Sequence, residues 1–187
     1  MDTPNREILA LAVRARWFGF AVLDSRCRLI DWGMVFYQQC STTEIRAAQR
    51  RLASLMTTFD PGLIAVAVSE VEASRTAPSV RALVKWLRTE SRARSIPFQL
   101  VSRKFIRTAF HEFHAGSKDE IASAIVTLFP ELRWKLPSRR KVWEKEHFRL
   151  ALFDAVAVSV ACGKHLSEAK ASEDGTVALS GRPLGDV

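Results

Sequence analysis

An aspartate inside an apolar stretch is the residue whose chemistry most needs explaining. Asp154 stands within Phe148-Arg-Leu-Ala-Leu-Phe-Asp-Ala-Val-Ala-Val158. A carboxylate carried into a core must meet a cation or hydrogen-bond donors, because its bare desolvation is expensive. Arg14 and Arg16, in the basic connector Val13-Arg-Ala-Arg16, are its candidate partners. Glu70 and Glu72 follow the apolar run 63–68. They read as solvated loop acids, with the alternative that Glu70 joins Asp154 in holding a hard divalent cation through carboxylate oxygens. His111 and His114 lie three apart, but no Cys, Asp or third His completes a zinc-like spacing, so they read as surface histidines. His147 precedes Asp154 by seven residues, about 10 Å along a helix axis, which is long for shared coordination. No Gly-rich phosphate loop, Ser-His-Asp set or CxxC pair occurs.

The basic residues point to a partner. The chain has 28 Lys+Arg against 20 Asp+Glu, a formal net charge of +8, and an isoelectric point of about 9.9. That balance suits an anionic ligand, nucleic acid first. Residues 88–107 carry Arg88, Arg92, Arg94, Arg103, Lys104 and Arg107 against the single acid Glu90. Residues 133–145 carry Arg133, Lys135, Arg139, Arg140, Lys141 and Lys145 against Glu144. The two clusters read as two banks of a phosphate-binding surface. Trp143, after the second cluster, reads as a cap on the last helix, with base stacking as the alternative.

The elements that must position these residues follow from hydrophobic period. Residues 8–12, 17–23 and 27–37 read as three strands with short links, an antiparallel meander. From 42 to 59, Ile45, Leu52, Leu55, Met56 and Phe59 fall on one helical stripe, and Asp60-Pro61-Gly62 stops it. Residues 63–68 are apolar without alternation, as in a strand covered on both faces. Residues 79–94 form a second amphipathic helix, and 97–101 return as a fifth strand. Helices are predicted over 102–110, 117–129 and 144–163, the second of these capped by Ser117 with Glu120. Two parallel crossovers after a meander predict an α/β fold of the ribonuclease H-like kind. It has a mixed five-stranded sheet, three strands antiparallel and then two parallel, with helices on both faces.

Length and composition set the bounds. A chain of 187 residues, 48% hydrophobic and 9% aromatic, suits one domain over 1–165, with a flexible C-terminal tail over 166–187. The apolar runs are too short and too often interrupted by charge for a membrane span to be expected. The N-terminus lacks the layout of a secretory signal. Cys27, Cys40 and Cys162, odd in number and far apart, read as small core residues in a reducing, cytoplasmic setting.

Within this topology several segments carry a resemblance. They are Ile8-Leu-Ala-Leu-Ala-Val-Arg-Ala-Arg-Trp-Phe-Gly-Phe-Ala-Val-Leu-Asp24, Arg28-Leu-Ile-Asp-Trp-Gly33, Gly116-Ser-Lys-Asp-Glu-Ile121 and the segment around Asp154. In this order and spacing, across 8–163, the chain resembles the RuvC-type Holliday junction resolvase family. The resemblance implies two divalent metals, usually magnesium, that activate a water and stabilise the leaving oxygen at a phosphodiester. It implies acidic or histidine ligands from the first strand, the fourth strand and the last helix. The corresponding positions are Ala12, Ala67 and Ala151, with Asp154 retained. The three alanines are therefore expected to cluster beside Asp154 in a degenerate active site. Arg14 and Arg16 would carry positive charge where metal sits in the family, suiting direct phosphate binding. The resemblance also makes Lys118 a phosphate-contacting lysine, with Arg103, Lys104, Arg107, Arg139, Arg140 and Lys141 as further contacts.

The expected function is that of a nucleic-acid-binding RuvC-like protein of DNA recombination and repair, with branched DNA as partner and no cofactor. The alternatives are an active metal-dependent crossover junction endodeoxyribonuclease using Glu70, Asp154 and magnesium, and a non-catalytic scaffold subunit of a DNA-processing assembly. A homodimer is implied by the resemblance alone.

Overall fold

The computed structural model describes residues 7–37, 42–67, 77–138 and 147–177. Strands β1 (Ile8–Val13), β2 (Trp17–Leu23) and β3 (Leu29–Phe36) form the meander. Helix α1 (Thr42–Phe59), strand β4 (Leu63–Ala67), helix α2 (Pro78–Ala93) and strand β5 (Phe98–Val101) follow. Then come α3 (Arg103–Ala109), α4 (Lys118–Leu128), a 3-10 segment Pro130–Lys135 and α5 (Leu150–Val177). The sheet order is β3-β2-β1-β4-β5. β1 pairs antiparallel with β2 and parallel with β4, so the two most apolar strands lie at the centre as their composition predicts.

Alternation along the strands separates two cores. Leu9, Leu11, Val13, Phe18, Phe20, Val22, Ile64 and Val66 face α1 and α2, where Leu52, Leu55, Leu83 and Leu87 meet them. The other face presents Ile8, Ala10, Ala12, Ala21, Ala65 and Ala67 to α5. Large side chains fill one side, and small ones let α5 lie low on the other. Gly19 is the extreme case, because a Cβ built there would overlap the backbone of Ala151. A glycine inside a strand commonly marks such an approach. With the sheet beneath it and α3 and α4 against it, α5 is buried nearly all round from Leu150 to Cys162.

Several boundaries differ from the sequence reading. Residues 147–149 form a turn, and α5 begins at Leu150 rather than at 144. The helix also continues through Val177, beyond the expected helix end at 163. Elongating an existing helix needs no new nucleus, and the Ala, Glu, Lys and Ser residues there tolerate it. By length and composition Leu150–Ala169 could cross a membrane; in this fold 72% of that window is buried inside the protein. The expected α1 stop at Asp60-Pro61-Gly62 is realised with Asp60 at a φ of 39° and its N–H donating to the Met56 carbonyl at 3.0 Å.

The cysteines also divide. Cys162 is buried, and burial pushes its thiol up to about 11. Cys27 is exposed in the β2–β3 turn with a φ of 59°, so it is a turn residue and not a core one. Cys40 lies outside the described residues.

The close approach of α5 gives a direct test. Gly19→Ala is expected to lower unfolding free energy by ~3 kcal/mol, since the backbone of α5 must move to admit one methyl. Gly116→Ala, where the nearest atom to a new Cβ is 4.0 Å away, is expected to stay within about 0.5 kcal/mol of the parent. Urea denaturation of the two variants checks both values.

Candidate nucleic-acid interface

Arg14 leaves the end of β1 at a turn that is pinned from three sides. Its N–H donates to the Trp17 carbonyl at 2.8 Å, closing the hairpin. The hydroxyl of the buried Tyr37 donates to the Arg14 carbonyl, and the Tyr37 N–H donates to the Arg16 carbonyl at 2.8 Å. Ser79, at the start of α2, donates its hydroxyl to the Ala15 carbonyl at 3.1 Å. With its backbone held in this way, Arg14 places Nη2 against Oδ2 of Asp154. Of the two candidate partners the structure selects Arg14, while Arg16 is exposed.

A second cation reaches the same oxygen. Lys118 Nζ lies 3.2 Å from Asp154 Oδ2. Lys118 is the first residue of α4, which begins with the expected capping box. Ser117 accepts from the Glu120 N–H at 3.2 Å, and Glu120 accepts from the Gly116 and Ser117 N–H groups at 3.0 and 2.9 Å. The side chains of Arg14, Lys118 and Asp154 are 8%, 15% and 17% exposed. This is a largely desolvated trio in which two cations share one anion.

The alanines do converge beside it. Ala12 pairs with Gly19 across β1 and β2, and Ala151 packs on Gly19. Ala67 follows Val66, the register partner of Leu11, so it lies beside Ala12 on the face toward α5. Asp154 is three residues beyond Ala151 on α5. A small cleft opens here, lined by Ala67, Val101, Arg103, Lys118, Asp154 and Ala157.

Two divalent cations need several oxygen ligands each. Among the described residues this cleft offers one carboxylate, and Oδ2 of that carboxylate is already shared by a guanidinium and an ammonium. Among the described residues no group of three His, Cys, Asp or Glu side chains converges. The described donor set therefore does not fit the metal pair that the family resemblance implies.

The remaining candidates scatter. Arg103 lines the cleft at the start of α3, where Ser102 caps the helix by accepting from the Phe105 N–H at 3.2 Å. Arg107 donates Nε to the Gly116 carbonyl at 2.9 Å, bracing the loop that carries Lys118. Lys104, His111, His114 and His147 are exposed. Glu70, Glu72, Arg139, Arg140, Lys141 and Trp143 lie outside the described residues. Sequence reasoning missed Tyr37 and Ser79, whose part in holding the Arg14 turn depends on contacts across 23 and 64 positions of chain. The chain's one tyrosine, directly after a strand, was the available signal.

Removing the anion should be costlier than removing one of its cations. Asp154→Ala removes the anion that two largely buried cations share and is expected to cost about 3–5 kcal/mol. Arg14→Met leaves Asp154 paired with Lys118 and is expected to cost less than half of that. Equilibrium unfolding of both variants in urea checks the order.

Compared by sequence, the chain matches no family model and no curated protein. Its fold does have solved counterparts. It is similar to the yeast mitochondrial Holliday junction resolvase Ydc2, with a TM-score of 0.65 and 13% identity over 96% of this chain and 86% of that one. It is similar to Thermus thermophilus RuvC in complex with Holliday junction substrate, with a TM-score of 0.61 and 14% identity over 83% and 91%. The fowlpox virus resolvase, solved with its substrate Holliday junction DNA, gives 0.53 and 10% over 84% and 99%. At such identities the likeness is one of fold, and it runs through most of each chain. With its meander, its two parallel strands and the buried helix lying across them, this chain has the RuvC-type ribonuclease H-like fold.

Proposed function

We propose that this protein binds branched DNA at the cleft where β1 and β4 end, in the context of DNA recombination and repair, and that it does so without metal-dependent cleavage. The observation that carries the reading is the pairing of Asp154 with both Arg14 and Lys118, between Ala12, Ala67 and Ala151. A cluster of carboxylates repels a phosphodiester until metal ions offset it, and hydrolysis on this plan needs those ions to activate water. Here the positive charge is part of the chain. Arg14 and Lys118 share Asp154, and Arg103 lines the cleft beside Lys118. Lys118 and Arg103 then meet a backbone phosphate through charge-assisted hydrogen bonds. Arg14, more deeply buried, positions Asp154 and through it Lys118. The fold likeness to resolvases solved with Holliday junction DNA supports branched DNA as the target.

A junction, a duplex and an RNA of matched length, each incubated with magnesium or manganese, should remain uncut. Junction affinity should be nearly the same in EDTA as in magnesium at matched ionic strength. It should fall with salt at a log-log slope of about −0.9 per phosphate contact. Lys118→Ala with Arg103→Ala should weaken binding and make the slope shallower by about one per lost contact. Strand cleavage, or binding that requires magnesium, would overturn the reading. An unchanged affinity in the double variant would remove the cleft as the phosphate site.

A further inference from the structure

Beside the cleft lies a group of aromatic side chains that phosphate binding does not explain. Trp17 and Phe36 are register partners at the ends of β2 and β3, with ring centroids 6.3 Å apart. Phe148, in the turn before α5, meets Trp17 at 6.5 Å and Phe36 at 5.6 Å, edge-on to both. Phe36 is 50% exposed and Phe148 38% exposed. Both ring contacts of Phe36 are tilted or edge-on, at 47° and 62°, and neither is a parallel stack. Phe148 differs in having His147 stacked on it at 4.6 Å and 27°. Trp134 is 66% exposed, but its ring already carries the Lys135 ammonium at 3.9 Å.

We infer that Phe36, backed by Trp17 and walled by Phe148, is a stacking platform for an unpaired nucleobase of a strand whose phosphate lies in the cleft. The inference rests on the proposal that the cleft takes a DNA phosphate. Placement supports it. Trp17 follows Arg14 by three residues, and Phe148 lies in the turn leading into α5, six residues before Asp154.

Charge selects this occupant over a second copy of the chain. Arg149 holds its Cζ 5.8 Å from the Phe148 centroid, and Arg16, the exposed residue before Trp17, adds a second positive charge to this end of the sheet. Two copies meeting here would bring like charges together, whereas a polyanion relieves them. Aromatic platforms within a cationic groove are a general means of holding unpaired bases, because every base has a π-face. A branch point supplies bases whose stacking is already interrupted, so little unstacking energy opposes capture.

The test uses the full chain and two probes of equal length, an oligothymidylate and the same strand with abasic sites. Phe36→Leu keeps an apolar side chain at a half-exposed position and removes the π-face. It is expected to lower affinity for oligothymidylate about tenfold, while leaving the abasic strand and the salt slope unchanged. Phe36→Trp should restore binding. Equal loss on both strands, or no loss on either, overturns the platform. So does a change in oligomeric state on sedimentation of Phe36→Leu, which would assign the rings to a second copy. Lys118→Ala separates this inference from the cleft proposal, because it should weaken both strands alike. A base-dependent Phe36 effect with a silent Lys118 would retain the platform and overturn the cleft, and binding of neither strand would overturn both.

Discussion

The approach of α5 to the sheet is the constraint on which the rest of this structure depends. A helix can lie this low only over a floor of small residues, and β1, β2 and β4 supply one in Ala10, Ala12, Gly19, Ala21, Ala65 and Ala67. The opposite face of the same strands carries Leu, Ile, Val and Phe, packed under α1 and α2 at ordinary depth. The asymmetry decides where charge can go. From Ala151, over Gly19, the helix runs back across the sheet toward Ile8 and Leu23 at Gly163, and Asp154, about one turn in, lies within reach of Arg14.

Burying three charged side chains in so narrow a place is tolerable because each has a partner and the backbone around them is held. Tyr37 and Ser79 lock the Arg14 turn, and the Ser117 capping box orients Lys118. A buried ion pair is weak evidence of stability, but a broken one is expensive. The trio therefore acts less as a source of folding energy than as a specification of how β1, α4 and α5 meet. With two cations on one of its oxygens, the Asp154 carboxylate ties α5 to the end of β1 and the start of α4.

Much of the fold was legible in local pattern. The unbroken apolar run in β4 marked a strand covered on both faces. The heptad-like spacing of α1 marked its buried stripe, and Ser117 with Glu120 marked the start of α4. Errors fell where local pattern carries little information. Nothing in residues 144–149 marks where α5 begins, because helix initiation there depends on the turn that seats Phe148 against Trp17. Cys27 was read as a core residue because cysteine is usually buried, yet the tight β2–β3 turn needs a left-handed residue at that position.

The sequence by itself determined the five strands and their order, the basic balance of the chain, and the occurrence of alanine at three positions where the family resemblance implies ligands. Those properties reside in residue type and in periods of two and 3.6, which survive without any knowledge of neighbours. Tertiary structure alone decided that Arg14 rather than Arg16 reaches Asp154, that Lys118 shares the same oxygen, and that Tyr37 and Ser79 hold the turn. Two arginines two residues apart on an extended connector are equivalent in sequence. They become different only when the chain closes and one is directed into the core while the other meets solvent. The same closure brings Phe36 and Phe148, 112 positions apart, into one aromatic group, a contact no local period encodes.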